Sequence, residues 1–377
     1  MRSVSALVEQ LGNEIDFYVI TRDRDAGSDA AYPDFQSGEW RPVGRGKVLY
    51  LAPDELSSRR LVAAAREIRP HAIYLNSFFG PMSLRLLLAR RLGALRGIPI
   101  LLAPRGELSP GALRLKAFRK RSLLRLSPWI GLHRDVVFHA STECESHEIS
   151  RVLPRREVPR IARNPVVVRQ ATGHACPKTI GTARFVFLSR ITRKKNLHLA
   201  IDLLRSLKGS VTFDIYGPVI GRADRAYRRQ WHALIDEMPP NVTVTYHGPI
   251  AHDLVASTLS AQHFFLFPTA SENFCHAIVE ALLAGCPIIA SDRTPWRGLA
   301  QRGAGWDLPL DDGDAWGHVL QMCVDMNAET YQTASLNARS FGHQIASTDT
   351  VVENLHLLRS VFKEQCDVRN SPGVSGV

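Results

Sequence analysis

Residues 264–292 read FFLFPTASENFCHAIVEALLAGCPIIASD, and the order of textures within this stretch decides the fold class. Phe264–Phe267 is an unbroken run of bulky apolar residues, closed by Pro268. A polar segment follows, then the helix-patterned HAIVEALLAG, with Gly285 as its stop and Pro287 at the mouth of a second apolar run, Ile288–Ser291. Strands that are apolar at every position, without alternation, are buried on both faces, as in a parallel sheet covered by helices. The stretch therefore reads as strand, helix, parallel strand.

Working outward, the same alternation fills the second half. Strand-like runs occur at RFVFLS, VTFDIYG and VTVTYHG, separated by NLHLAIDLLRSL, AYRRQWHALIDEM and DLVASTLSAQ. The first half repeats it, with strands at IDFYVIT, KVLYLA, HAIYLN, IPILLA and VVFHAS. Its intervening helices are SSRRLVAAAREI, MSLRLLLARRLGAL and TECESHEISRVL. Two doubly wound α/β domains are predicted, over 1–168 and 169–345. A last helix over 346–366 is expected to pack back toward the first domain, and 367–377 to form a tail. The chain opens on the helical pattern SVSALVEQL, whereas a doubly wound domain ordinarily opens with a strand and a glycine-rich turn. Either the true start lies upstream or the first domain is a shortened form without that strand.

The composition bounds the class. The 377 residues are 45 % hydrophobic and 22 % charged, ordinary for globular domains. No apolar run reaches the length of a membrane span, and the N-terminus lacks the pattern of a signal peptide. The six cysteines are scattered, without CxxC, and read as reduced thiols of a cytoplasmic protein. Of the net charge of +11, residues 1–168 hold +10. The densest patch is LRLKAFRKRSLLRLSPWIGL, where Arg114, Lys116, Arg119, Lys120, Arg121 and Arg125 stand among Leu, Phe and Trp. It suits an anionic membrane surface or a phosphate-bearing partner, and equally a solvated cationic helix face. Nucleic acid is not expected as a partner, since stacking and zinc motifs are lacking.

Ligands of open α/β sheets bind beyond the carboxyl ends of the strands. After RFVFLS comes RITRKKN, placing Arg190, Lys194 and Lys195 on a loop entering a helix, suited to a diphosphate or simply to water. After FFLFPT come Glu272 in the loop and Glu280 inside a helix that is apolar all round and so predicted to be buried. A carboxylate buried there needs a partner: ribose hydroxyls of a nucleotide, or a lysine from the neighbouring loop. Asn273, Phe274 and Cys275 stand at the helix start, where N–H groups are free for an anion. The acidic clusters Asp23–Asp25 and Asp311–Asp314 lie in turn-like contexts, and no metal is expected there. His139 follows a strand and reads more readily as a structural histidine than as a cleft residue. No GxGxxG follows any candidate strand, which weighs against a dinucleotide oxidoreductase.

The segment SENFCHAIVEALLAGCPIIASD, with two Glu separated by seven residues, resembles the signature of retaining family 4 (group 1) glycosyltransferases. LSRITRKKNLHLAIDLL resembles their Arg and Lys pair, here Arg190 and Lys195. YGP at Tyr216–Pro218 and HGPI at His247–Ile250 resemble the turns lining their nucleotide pocket, bringing in Gly217 and Gly248. The resemblance implies the GT-B fold, two Rossmann-like domains facing a cleft, and sugar transfer from a nucleotide-diphosphate sugar without cofactor or metal. Arg190 and Lys195 would hold the diphosphate, Glu280 the ribose hydroxyls, and Glu272 the donor sugar near the reacting carbon. Catalysis would rest on Glu272, Arg190 and Lys195, with donor contacts from Asn273, Phe274 and Cys275. The leaving phosphate would serve as base in a front-face substitution.

The basic first half then points to an acceptor that is a glycan or is linked to a polyprenyl diphosphate at the inner membrane face, with surface polysaccharide as product. Arg105 and Glu107, in APRGEL, are candidates for acceptor binding; Arg119, Lys120 and Arg121 for the acceptor or the membrane. The chain departs from the family pattern where Asn273 and Cys275 replace two glycines, where RTPWRGL follows ASD, and where Arg105 stands in place of a frequent histidine. The absent first strand and turn support an alternative, a donor-binding but inactive scaffold.

Overall fold

The computed structural model describes residues 2–24, 30–32, 37–114, 117–153, 158–168 and 176–370. The chain divides into two compact units, one of residues 1–25, 29–165 and 348–377, the other built on 166–347.

The first unit runs α1 (Arg2–Leu11), β1 (Phe17–Arg22), β2 (Trp40–Val43), β3 (Gly46–Leu51), α2 (Ser58–Ile68), β4 (Ile73–Asn76) and α3 (Pro81–Arg91). It continues with β5 (Ile100–Ala103), α4 (Pro110–Arg114), α5 (Ala117–Leu126), β6 (Val136–Ala140), α6 (Glu143–Val152) and β7 (Arg160–Ile161). The strands form two sheets, β1–β3–β2 and β4–β5–β6–β7. All neighbours are parallel except the β2–β3 hairpin, an edge that the sequence patterns did not mark. Among the described residues no strand bridges β1 and β4. Helix starts follow local chemistry: Ser57 caps α2 by accepting from Arg60 N–H, and Thr142 caps α6 by accepting from Glu145 N–H.

The second unit runs β8 (Thr182–Leu188), α7 (Leu197–Leu204), β9 (Ser210–Tyr216), α8 (Arg222–Asp236), β10 (Val242–Gly248), α9 (Val255–Ser260) and β11 (Phe264–Phe267). Then come α10 (His276–Leu283), β12 (Ile288–Ser291), β13 (Gly305–Leu308), α11 (Gly313–Asp325) and α12 (Ala328–Ile345). One parallel sheet is ordered β10–β9–β8–β11–β12–β13. Strands β11 and β12 are buried end to end and β8 from Phe185 onward, and Phe185, Phe187, Phe213, Phe264, Phe265 and Phe267 fill the layers between sheet and helices. The stretch 264–292 is thus β11–α10–β12, as its texture implied.

Helix α12 has no counterpart in the sequence reading: between Tyr331 and Ile345 the face it buries is carried by the small residues Ser335, Ala338 and Gly342. Gly342 lies where a Cβ would crowd Leu283 N and Leu282 C, and Ser335 Oγ donates to Gly285 O at 2.6 Å. It thereby braces the C-terminal end of α10.

The last helix, α13 (Thr348–Asn370), belongs to the first unit. Leu357, Leu358 and Val361 pack with Leu7 and Leu11 of α1. Glu353 pairs with Arg163 at 2.7 Å. The helix runs four residues into the segment expected as a tail; 371–377 lie outside the described residues.

Candidate functional site

In the second unit three loops meet beyond the carboxyl ends of β8, β9 and β10. Ser189 N donates to Tyr216 O and Ile191 N to Pro218 O, each at 3.0 Å, so the chains stay paired past the strand ends. Gly217 has a φ of 139° and presses against Ser189 so closely that a Cβ would overlap the Ser189 carbonyl. Its N–H donates to Gly248 O at 2.7 Å, and Tyr246 OH donates to Gly217 O at 2.9 Å. Gly217 and Gly248 therefore shape one floor. Arg190 stands exposed on the first of these loops. Burial raises the Asp224 carboxyl above its ordinary range, and the Arg190 charge partly offsets this.

Lys195 ends a short 3-10 turn, Arg193–Lys195, ahead of α7. Its ammonium forms an ion pair with Glu272, the two side chains being 18 % and 9 % exposed, and it lies 5.3 Å from the Phe267 ring centroid. The lysine that the sequence offered as a partner for Glu280 thus pairs with the other glutamate. Thr269 Oγ1 donates to Glu272 Oε1 at 3.0 Å, and Ala270 N–H donates to Lys194 O at 2.8 Å, lacing the β11 loop to the β8 loop. Glu272 N–H donates to Arg293 O at 2.9 Å.

Helix α10 begins after Cys275, which takes a left-handed φ of 62°. Burial, then the Glu272 charge, pushes the Cys275 thiol up to about 12, so it is protonated at neutral pH. Phe274 is a core residue: its ring meets Trp296 edge-on at 5.1 Å, and its carbonyl accepts from Trp296 Nε1. The departing segment RTPWRGL therefore supports this turn through Trp296. Asn273 is half-buried beside it.

The expectation that α10 is buried all round is corrected. Ile278, Val279, Ala281 and Leu282 are buried, whereas His276, Ala277, Glu280 and Leu283 form a half-buried stripe. Glu280 lies on that stripe, one turn into the helix, where its carboxylate adds to the raising of the Cys275 pKa. It is a carboxylate on a half-buried helix face, not one sealed in a core.

In the first unit, Arg105 hydrogen-bonds Asn76, Asn164 and Tyr74. Glu107 accepts from Ser77 Oγ at 2.8 Å, Phe78 N–H at 2.6 Å and Phe79 N–H at 2.9 Å, clamping the loop after β4. His139 is a buried structural histidine bonded to Tyr74 and to Ala162 O. In α5, Arg119 and Arg121 are exposed, while Lys120 reaches Ala112 O at 2.6 Å and sits over the Phe79 ring. Lys116 lies outside the described residues. Helix α5 is not cleanly two-faced: Phe118 and Leu126 project into solvent among the arginines, and Trp129 follows, 89 % exposed.

Asp23 is bonded through both oxygens to Arg24, and Asp312 caps α11 by accepting from Ala315 N–H. Asp25 lies outside the described residues. Among the described residues no cluster of three or more His, Cys, Asp or Glu is gathered for a metal ion, and no helix is long and apolar enough to cross a membrane. Sequence reasoning missed Thr269, Tyr246 and Trp296, which carry no motif and are defined only by what they brace.

Residues 178–309 match the family model described as glycosyl transferases group 1. A putative colanic acid biosynthesis glycosyltransferase, WcaL of Salmonella typhimurium, is 26 % identical over 162 residues, 41 % of this chain. The match spans only 39 % of that relative's length. Sucrose-phosphate synthase of Thermosynechococcus elongatus superposes with a TM-score of 0.72 at 18 % identity, over 96 % of this chain and 93 % of that one. Anabaena HepE in complex with UDP and glucose superposes with a TM-score of 0.64 at 16 % identity, over 84 % and 86 %. The fold is GT-B, a pair of Rossmann-like α/β units.

Proposed function

We propose that the protein is a retaining glycosyltransferase that moves a sugar from a nucleotide-diphosphate sugar to a glycan or polyprenyl-diphosphate-linked acceptor in surface polysaccharide assembly. The observation that carries this reading is the Lys195–Glu272 pair beyond the carboxyl ends of the adjacent strands β8 and β11, with Glu280 on the half-buried face of the helix that follows. Arg190 and Lys195 would receive the diphosphate and stabilise charge on the departing nucleotide, which makes a metal dispensable. Glu280 would accept from the ribose hydroxyls, and Glu272 would contact the donor sugar. The WcaL likeness supports the pathway, and the UDP bound by HepE makes UDP the first nucleotide to try.

A thermal-shift panel of UDP, GDP, ADP and CMP against wild type and Glu280→Ala tests the donor site. One nucleotide at about a hundred times its Kd is expected to add ~2.7 kcal/mol, lost in the variant. No shift with any nucleotide, or an equal shift in the variant, refutes the assignment.

A second reading, a donor-binding but inactive scaffold, is favoured by the interrupted sheet of the first unit. Hydrolysis or transfer from a labelled nucleotide sugar separates the two. The first unit is further proposed to rest against the inner membrane face of the cytoplasm, supported by Phe118 and Trp129 exposed beside Arg119, Arg121 and Arg125.

A further inference from the structure

Arg105 follows β5 at the carboxyl end of the first unit's parallel sheet and takes a φ of 56°, a left-handed conformation that costs a non-glycine residue on the order of 1 kcal/mol. Its guanidinium is fixed by three acceptors: Asn76 Oδ1 at 3.0 Å, Asn164 Oδ1, and Tyr74 OH at 2.7 Å. Tyr74 also bonds His139 Nδ1 at 2.5 Å, and His139 Nε2 bonds Ala162 O at 2.8 Å. A carbonyl oxygen only accepts, so His139 Nε2 carries hydrogen and, in the neutral ring, Nδ1 accepts from Tyr74. Burial and the nearby Arg105 charge hold the His139 pKa down to about 3, so the ring is neutral. Every partner of the guanidinium is thus uncharged.

No carboxylate hydrogen-bonds this guanidinium, although the buried Glu145 is close enough for its charge to act on Tyr74. Arg105 makes no ion pair among the described residues. The carboxylates nearest in sequence and space hydrogen-bond other groups. Glu145 accepts from Gly106 N–H at 2.6 Å and from Ser141 N–H and Oγ at 2.8 Å, and Glu107 clamps the loop after β4. A guanidinium withdrawn from water is ordinarily paired with a carboxylate. Aspartate at 76 or 164, isosteric with asparagine, would supply one, yet both positions hold the neutral amide. A guanidinium carries five N–H donors, so after these bonds one remains on each terminal nitrogen. The residue is half-buried, leaving those donors within reach of a ligand.

We infer that Arg105 binds an oxyanion of the acceptor, a phosphate or a sugar carboxylate, through the two terminal N–H groups that the Asn76–Tyr74–Asn164 cradle leaves unused. The inference rests on the glycosyl-transfer reading only for the word acceptor; the anion site stands on the geometry.

The test is a low-salt calorimetric titration of the full chain with pyrophosphate, glucuronate and glucose, on wild type, Arg105→Gln and Asn164→Asp, with UDP titrated in parallel. Asn164→Asp places a carboxylate against the guanidinium without changing side-chain shape. It is expected to raise the Tm while weakening anion binding at this site at least tenfold, with UDP binding unchanged. Should Arg105→Gln not fold, Asn164→Asp alone decides. Glucuronate bound in an Arg105-dependent way assigns a carboxylate; pyrophosphate alone assigns a phosphate; glucose is expected to be indifferent. Equal anion binding by wild type and Asn164→Asp, or none by wild type, overturns the inference. Loss of UDP binding in every protein, with Arg105-dependent anion binding retained, would instead count against the glycosyl-transfer reading.

Discussion

Lys195 and Glu272, 77 residues apart in sequence, close an ion pair across the carboxyl ends of β8 and β11. The lysine proposed to receive the donor diphosphate is thus paired with a carboxylate of its own unit. Under the proposed donor site, phosphate and Glu272 would compete for one ammonium. Glu272→Gln is expected to leave UDP binding as tight or tighter, since the lysine is released, while transfer activity collapses. Lys195→Ala removes a charge-assisted contact of about 1.5–3 kcal/mol and should weaken UDP binding roughly ten- to a hundredfold. Calorimetric Kd values for the two variants check this; weaker UDP binding in Glu272→Gln would show that the pair is not competed.

Gly217 and Ser189 set a second expectation. Because a Cβ at Gly217 would overlap the Ser189 carbonyl, Gly217→Ala must separate the β8 and β9 loops and bend the floor they share with Gly248. The positive φ adds strain of its own. Chemical denaturation should register a loss of about 2–4 kcal/mol in the second unit. An unchanged transition midpoint would mean that the loops yield freely.

Much of this arrangement was legible in the sequence, for identifiable reasons. Buried parallel strands are continuous apolar runs, so β8, β11 and β12 announce themselves, β9 shows through its alternation, and Gly285 and Pro287 mark the turn between α10 and β12. Helix α12 does not, because Ser335, Ala338 and Gly342 bury a small-residue face that carries no apolar period. Glu280 misleads for the opposite reason. Ala277 and Leu283 share its half-buried side of α10 and pack against the core, so composition does not tell that side from the fully buried one. The Lys195–Glu272 pair and the Arg105 cradle join residues far apart in the chain, and no local spacing signals either.

Two buried histidines give stability a pH dependence of known sign. Burial, and for His139 the Arg105 charge, hold His139 near a pKa of about 3 and His263 near about 4, against an ordinary value of 6.5. A base with a depressed folded-state pKa binds more protons when unfolded. Its stabilising contribution is complete above about 6.5 and is lost as pH falls toward the folded-state value. Each histidine contributes a slope of up to about 1.4 kcal/mol per pH unit in that window, one in each unit. Urea midpoints measured from pH 7.5 to 4.5 should fall steadily. In a His139→Gln variant, whose baseline is lower, the slope of the first unit should be shallower. A parallel pH profile in wild type and variant would remove His139 from the account.

The exposed surface of α5 and the turn after it leads to the last expectation. Phe118 is 85 % and Trp129 89 % exposed, side chains too large and apolar to face water without cost, and Arg119, Arg121 and Arg125 surround them. Aromatic side chains settle at the level of lipid headgroups, and each arginine near an anionic surface strengthens attachment roughly fivefold at moderate salt. Flotation with vesicles of anionic lipid should carry the protein upward, and vesicles of zwitterionic lipid much less. Replacing the three arginines by glutamine should abolish the difference between the vesicles. Phe118→Ser with Trp129→Ser should weaken attachment to both and lessen its resistance to salt, because the apolar contribution is unscreened. Equal recovery with either lipid, or no change in the serine variant, would leave these residues as a solvated face and remove the membrane from the proposed function.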